Sequence, residues 1–150
     1  MNDVQHAPAW LIRWELVLTA VVGALAFMSV PLSLGHIGLS WDALNHHIYL
    51  GWIAEHPRFD RDHQAALYQG YLFPYVYWPA YKLASMGASG LVAGIVLALL
   101  QATIVPAVWK IANACIPGTT WFDLGMRAIA VAMAFMSCVV LSMLDTTSND

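Results

Sequence analysis

Residues 14–34 read WELVLTAVVGALAFMSVPLSL, and this apolar run determines the class of fold. A transmembrane helix needs roughly 20 mostly apolar residues, and this run carries a single charged side chain, Glu15. Two further runs have the same character: ASGLVAGIVLALLQATIVPAVW at residues 88–109 and LGMRAIAVAMAFMSCVVLSML at residues 124–144. We therefore predict an all-α, polytopic membrane protein with about three transmembrane helices.

The composition of the whole chain agrees with that class. Of 150 residues, 60% are hydrophobic and 10% are charged, whereas a soluble domain has about 25% charged residues. The alternative is that the apolar runs are core helices of a soluble bundle, but the near absence of charge across them favours membrane spans. No run of Lys and Arg is present that would neutralise phosphates, so we expect no nucleic acid partner.

The basic residues beside the spans indicate an orientation. The run at residues 14–34 is too long for the apolar region of a cleaved signal peptide, so we interpret it as a retained anchor. Arg13 precedes this span, while Lys110 and Arg127 flank the connection between the second and third spans. By the positive-inside rule, we expect a cytoplasmic N-terminus in a bacterial inner membrane, with residues 35–87 outside.

The outer loop opens with a block that holds most of the charged and histidine residues, LSWDALNHHIYLGWIAEHPRFDRDH at residues 39–63. Ser40 is a plausible N-cap and Pro57 a stop, so we predict an interfacial helix between them. On helical spacing, one face of this helix carries Asp42, Asn45 or His46, and Tyr49. The other face is apolar and suits a membrane interface; it comprises Leu44, Ile48 and Trp52.

A second stretch of the loop is rich in aromatic residues, YQGYLFPYVYWPAYKL at residues 68–83. Pro74 and Pro79 exclude one long regular helix there. The rings are expected to form a belt at the level of the lipid headgroups, with membrane lipids as partners. Alternatively, the ring faces and hydroxyls line a site for a sugar or a lipid headgroup.

The charged block allows more than one chemistry. Adjacent histidines on an α-helix point about 100° apart, so we do not predict that His46 and His47 share a metal ion. The sequence is compatible with a divalent cation, Mg²⁺ or Mn²⁺, that is bound through Asp42 and a substrate phosphate. Asp42 lies close to the membrane boundary, where burial would tune its pKa for taking a proton from a hydroxyl. It would equally favour the start of a helix through the helix dipole.

Three short segments together resemble a known family: SWDALNHHIY at residues 40–49, PRFD at residues 57–60 and FPYVYWP at residues 73–79. They are similar to the start of C-type (GT-C) membrane glycosyltransferases, which include polyprenyl-phosphate-dependent mannosyl- and arabinosyltransferases. The resemblance implies a lipid-linked sugar donor and a catalytic base at Asp42. It further implies that Arg58 or Arg61 contacts the donor phosphate. The candidate substrate-binding residues are Asn45, His46, Tyr49, Arg58, Arg61, Asp145, Asn149 and Asp150.

The chain departs from the family in its number of spans, because family members have many more than three. We therefore interpret residues 1–150 as a single membrane module of a larger glycosyltransferase, completed by further polypeptide or by subunits of the same enzyme. The competing hypothesis is a non-enzymatic membrane subunit whose loop binds a partner or a lipid. A haem or quinone protein that uses His46 or His47 ranks last, since axial ligands are expected inside facing helices.

Overall fold

The computed structural model describes residues 5–38, 43–58, 73–137 and 140 of the chain. In these residues the regular structure is helical, with one isolated bridge between His6 and Thr120. The α-helices are α1 (Ala9–Leu34), α2 (Ile48–Ile53), α3 (Trp78–Ser85), α4 (Gly90–Ala102), α5 (Val105–Cys115) and α6 (Trp121–Phe135). A π-helical turn, Ala43–His47, leads into α2, and a 3-10 turn, Pro74–Val76, comes before α3. The all-α prediction is confirmed for this part of the chain.

Two helical stretches are long and apolar enough to cross a membrane, namely α1 and the stretch Gly90–Cys115, each of 26 residues. At 1.5 Å per residue the continuous helix α1 extends about 39 Å, against a hydrocarbon core of about 30 Å. Large apolar side chains of α1 are exposed, including Val22 at 65% and Leu25 at 60%. A core helix of a soluble protein would bury them, so this exposure favours a lipid environment.

The first span is longer than predicted at its N-terminal end. Helix α1 begins at Ala9, directly after Pro8, whose carbonyl accepts hydrogen bonds from Leu11 and Ile12. Arg13, which we placed before the span, therefore lies inside the helix. The C-terminal end at Leu34 agrees with the prediction, and Gly35 adopts a φ of 76° there; such left-handed glycines commonly end helices.

The second predicted span is divided into two helices. A turn at Thr103 and Ile104 separates α4 from α5, and Pro106 lies in the first turn of α5. Proline has no backbone N–H and cannot donate to the carbonyl four residues earlier, which explains the interruption. Helix α5 then continues past residue 109, so Lys110 lies within the helix rather than in the connection that follows.

Helix α6 begins at Trp121, three residues before the predicted third span. The reason is a capping box: Thr120 Oγ1 accepts a hydrogen bond from the Asp123 N–H, and Asp123 Oδ2 accepts one from the Thr120 N–H. Such reciprocal bonds satisfy N–H groups that a helix start leaves unpaired. Helix α6 ends at Phe135, and residues 138, 139 and 141–144 of the predicted span lie outside the described residues.

The described residues fall into two compact units, one formed by residues 5–27 with 99–137 and 140, and the other by residues 28–38, 43–58 and 73–98. In the first unit, α1 packs closely on α5, because a Cβ on Gly23 would lie 2.9 Å from Val105 Cγ2. Phe27 of α1 meets Phe135 of α6 edge to face, with ring centroids 5.4 Å apart. Edge-to-face pairs of this kind stabilise packing beyond the area that they bury.

A buried ion pair connects α1 and α6 in the same unit. Arg127 donates from Nε to Glu15 Oε1 and from Nη2 to Oε2, both at 2.7 Å. Its Nη1 donates to the carbonyls of Ile116 and Gly118 at 2.7 and 2.8 Å, and the Trp109 indole N–H donates to Glu15 at 3.2 Å. The side chain of Arg127 is 1% exposed and that of Glu15 is 11% exposed. Two charges thus enter apolar helices as one hydrogen-bonded pair, which is how buried charges are tolerated.

In the second unit, α2 packs on α3 through a core formed by Leu50, Ile53 and Tyr77. Gly51 permits the close approach, because a Cβ there would lie 2.7 Å from the Tyr77 carbonyl oxygen and would overlap Tyr81. Burying side chains of this size stabilises by about 1.5–3 kcal/mol each. The loop helix therefore packs on the aromatic segment that follows it in the chain.

The Glu15–Arg127 pair yields a stability prediction. Arg127→Met should lower the free energy of unfolding by about 3–5 kcal/mol, because it leaves a carboxylate buried without its guanidinium. The double variant Glu15→Leu/Arg127→Met should be more stable than Arg127→Met alone, since no buried charge is left uncompensated. Chemical unfolding of the protein in detergent measures both effects. Arg13→Met, at an exposed arginine of α1, the helix that carries Glu15, is the control and should change stability by about 0.5 kcal/mol or less.

Equal stability of the double variant and the Arg127→Met variant would show that the pair does not compensate the buried charge.

Candidate functional site

The π-helical turn Ala43–His47 buries two adjacent imidazoles. His46 and His47 are both 0% exposed, and their ring centroids lie 4.3 Å apart at an interplanar angle of 75°. The expectation that these adjacent rings point about 100° apart is wrong, because the two rings lie against each other. The turn has π rather than α geometry, with hydrogen bonds from i to i+5, so α-helical spacing does not describe it.

The buried histidines pack on the aromatic segment through Tyr77. The His47 ring stacks on the Tyr77 ring, with centroids 4.6 Å apart and planes 18° from parallel, and His46 meets Tyr77 at 6.5 Å. Tyr77 is itself only 4% exposed. We call the contact between His47 and Tyr77 the histidine–tyrosine stack. It joins residues 43–49 to residues 73–79, two of the segments on which the family resemblance depends.

The predicted loop helix is shorter than expected, and it buries a different face. Helix α2 ends at Ile53, four residues before Pro57. The residues it buries are Leu50, Gly51 and Ile53, whereas Ile48 and Trp52 of the predicted apolar strip are half-buried. The predicted N-cap Ser40 lies outside the described residues. The prediction that Pro74 and Pro79 break the aromatic segment is confirmed, since a 3-10 turn and a separate helix α3 occupy it.

Two side chains that follow α2 pack on the ring of Trp52, near the end of the helix. The His56 ring lies on the Trp52 ring, with centroids 4.8 Å apart and planes 11° from parallel. The Arg58 guanidinium lies 5.9 Å from the centroid of the same indole, within the range of a cation–π contact. His56 and Arg58 are both exposed. Trp52 therefore orders the beginning of the PRFD segment and keeps a guanidinium near the surface.

A second polar contact joins the end of α2 to α3. Glu55 Oε1 accepts hydrogen bonds from Lys82 Nζ at 2.6 Å and from the Trp78 indole N–H at 2.9 Å. The Lys82 ammonium, and secondarily the Trp78 donor, holds the pKa of the Glu55 carboxyl below its usual value. The group is exposed, so the ion pair itself contributes little to stability. It fixes which ends of the two helices meet.

The structure describes four of the nine residues predicted to form the site. His46 is buried in the π-helical turn, Tyr49 is half-buried in α2 with its ring 6.0 Å from Trp52, and Arg58 is exposed. Asn45 lies in the π-helical turn by its backbone. Five candidates lie outside the described residues: Asp42, Arg61, Asp145, Asn149 and Asp150.

Sequence reasoning missed several residues that organise this part of the loop: His47, Tyr77, Glu55, Trp78 and Lys82. His47 was dismissed with the metal hypothesis, and Tyr77 was one of many aromatics. The signal that could have found them is the FPYVYWP segment, where two prolines hold a short run of rings in a fixed bend. Within the described part of the chain, no three His, Cys, Asp or Glu side chains are grouped to hold a metal ion.

The lowered pKa of Glu55 predicts how stability depends on pH. The folded state binds a proton at Glu55 less readily than the unfolded chain, in which a glutamate titrates near about 4.3. The stabilisation is therefore complete above that value and is lost as the pH falls through the lower, folded-state pKa. Thermal unfolding followed from neutral pH into acid should show a steeper loss of stability with falling pH for the wild type than for Glu55→Gln.

Lys82→Met should reduce the slope in the same way, because it removes the principal cause of the shift. Identical slopes for all three proteins would contradict the assignment.

Comparison with protein-family models, with curated proteins and with solved structures found no match. The function is therefore argued from the residues of this chain and from the contacts described above.

Proposed function

We propose that this chain is a membrane module of a glycosyltransferase that moves a sugar from a polyprenyl-phosphate donor to an acceptor hydroxyl on the outer face of the membrane. The observation that supports it is the histidine–tyrosine stack. Two of the sequence segments that resemble the GT-C family, residues 40–49 and 73–79, are in contact through His47 and Tyr77. A shared site requires that contact, whereas unrelated interfacial anchors would not.

The proposed reaction assigns a role to each candidate group. Asp42 accepts the proton of the acceptor hydroxyl while the acceptor oxygen attacks the anomeric carbon of the donor. The bond from that carbon to the phosphate oxygen breaks, and polyprenyl phosphate leaves with the electron pair. Arg58 or Arg61 stabilises the charge on the departing phosphate, because a guanidinium matches phosphate oxygens. His46 is fully buried, so the proposal assigns the substrate contacts to the other candidates: Asn45, Tyr49, Asp145, Asn149 and Asp150.

The proposed topology is three spans with a cytoplasmic N-terminus and residues 35–87 outside. In the first unit, the Ala7 N–H donates to the Thr119 carbonyl and the Trp121 N–H donates to the Gln5 carbonyl. These contacts support an arrangement in which the N-terminal segment and the connection before α6 lie on the same side of the membrane. In the second unit, a Cβ on Gly90 would lie 3.4 Å from the Ile37 nitrogen. The end of the first span thus lies beside the start of the second.

A second candidate function is a non-enzymatic subunit that binds a lipid or a partner protein through the outer loop. Exposed aromatic side chains favour it: Phe73 is 66% exposed and Tyr75 is 59% exposed, with ring centroids 5.4 Å apart. Rings of this kind anchor proteins at membrane interfaces without any catalysis. The two functions differ in whether the protein transfers a sugar at all. Only the first requires a carboxylate at position 42.

The test is Asp42→Asn in membranes that carry the complete gene product. The assay follows release of polyprenyl phosphate from a polyprenyl-phosphate sugar in the presence of acceptor. Loss of a general base removes about 100-fold or more of the rate, so transfer by the variant should fall at least that far while the amount of inserted protein stays the same. Glu55→Gln makes the same chemical change at an exposed carboxylate engaged with Lys82, and it should retain wild-type transfer.

Transfer by Asp42→Asn at the wild-type rate would exclude Asp42 as the base. An absence of transfer by the wild-type protein with every polyprenyl-phosphate sugar tried would favour the non-enzymatic subunit.

A further inference from the structure

We propose that one end of the first unit binds the headgroups of anionic phospholipids. The surface involved, which we call the headgroup band, comprises four exposed aromatic residues and two exposed cations: Trp10, Trp14, Trp121, Phe122, Arg13 and Lys110. It lies at the start of α1, whereas the outer loop follows the end of α1, and its binding of lipid requires no sugar transfer. The ligand class is a glycerophospholipid with a net negative headgroup.

The aromatic residues of the band lie at the same end of the unit because the starts of α1 and α6 are joined by backbone hydrogen bonds. The Ala7 N–H donates to the Thr119 carbonyl at 2.9 Å, and the Trp121 N–H donates to the Gln5 carbonyl at 3.2 Å. Trp121 is the first residue of α6 and Trp10 is the second residue of α1. The first turns of the two helices therefore present their exposed rings at one level.

The two cations lie close to that level. The Trp109 indole N–H donates to Glu15 at 3.2 Å, so α5 runs beside α1 at this height. Arg13 is two residues before Glu15, and Lys110 directly follows Trp109. Both cations are exposed, and no acidic side chain in the described part of the chain forms an ion pair with either. Long cationic side chains near helix ends extend their charge to the membrane interface.

The order of side chains along α1 matches one leaflet of a bilayer. Trp10 and Trp14 are exposed on successive turns, and the exposed face continues through the aliphatic residues Val21 and Leu25. Tryptophan is enriched where the headgroups meet the hydrocarbon, because its ring is apolar and its N–H is polar. A face that changes from tryptophan and arginine to aliphatic residues meets headgroups first and acyl chains next. This order favours lipid as the occupant of the band.

The charge at this end of the unit selects an anionic headgroup. Glu15 is buried and paired with Arg127, so it does not offset the exposed cations. Asp123 is half-buried, and its carboxylate accepts hydrogen bonds within the capping box. Among the described residues of this end, Arg13 and Lys110 therefore leave an excess of positive charge at the surface. Each such residue near an anionic membrane surface strengthens binding by about 5-fold at low salt.

The experiment measures lipid preference. The protein in neutral detergent at low salt is titrated with phosphatidylglycerol or with phosphatidylcholine of the same acyl chains, and native mass spectrometry gives both dissociation constants. The wild type should bind phosphatidylglycerol about 25-fold more tightly than phosphatidylcholine. Arg13→Gln and Lys110→Gln should each lower that ratio about 5-fold, and the double variant should abolish the preference. Trp14→Leu should weaken the binding of both lipids and leave the ratio unchanged, because the ring anchors either headgroup.

Lys82→Gln is the matched control, because it changes the net charge equally at a cation that is already paired with Glu55 in the other unit. It should keep the wild-type ratio, and gel filtration in detergent checks the folding of every variant. A wild type without preference, or a preference that survives in the double variant, would overturn the headgroup band. So would an equal loss in Lys82→Gln, which would assign the preference to net charge. Displacement of phosphatidylglycerol by inorganic phosphate would indicate a site for a soluble anion and would overturn it too.

Discussion

The packing of α2 and the π-helical turn on α3 is the contact on which the account of the loop depends. It places the His47 ring on the Tyr77 ring and lets Gly51 approach the Tyr77 backbone, so two segments that are distant in sequence form one small core. The polar contact of Glu55 with Lys82 and Trp78 sets the register at the end of α2. Without this packing, the charged block and the aromatic segment would be independent interfacial elements.

Local features of the sequence were sufficient for the helical class, for two apolar helical stretches long enough to cross a membrane and for the breaks at proline. Long apolar runs have few alternatives to helices, and Pro74 and Pro79 act through their own rings and missing N–H groups. Helix α6 begins three residues before the predicted third span because the polar pair Thr120 and Asp123 forms a capping box that fixes the start of the helix. That signal was present in the sequence.

The interior of the loop was less accessible to prediction, for a physical reason. The buried rings of His46 and His47 contact Tyr77, which a different segment of the loop supplies, and no local sequence pattern indicates that contact. The role of Arg127 also depends on a residue that is distant in the sequence. Arg127 was interpreted as an orienting charge beside a span, while the fold pairs it with Glu15, 112 residues away. Long-range partners of this kind decide whether a polar side chain is a surface group or part of a core.

Proximity of α2 and α3, measured in membranes from cells that express the protein, is the most direct test of the central claim. Cysteines replace Glu55 and Lys82, whose side chains lie 2.6 Å apart, in a chain with serine at Cys115 and Cys138. A short bis-methanethiosulfonate reagent is added, and trypsin then cleaves after Arg58 and Arg61, which separate the two positions in the sequence. We predict that the flanking peptides stay linked until reductant is added, while single-cysteine variants release them. Peptides that separate at every reagent concentration would contradict the packing of α2 on α3.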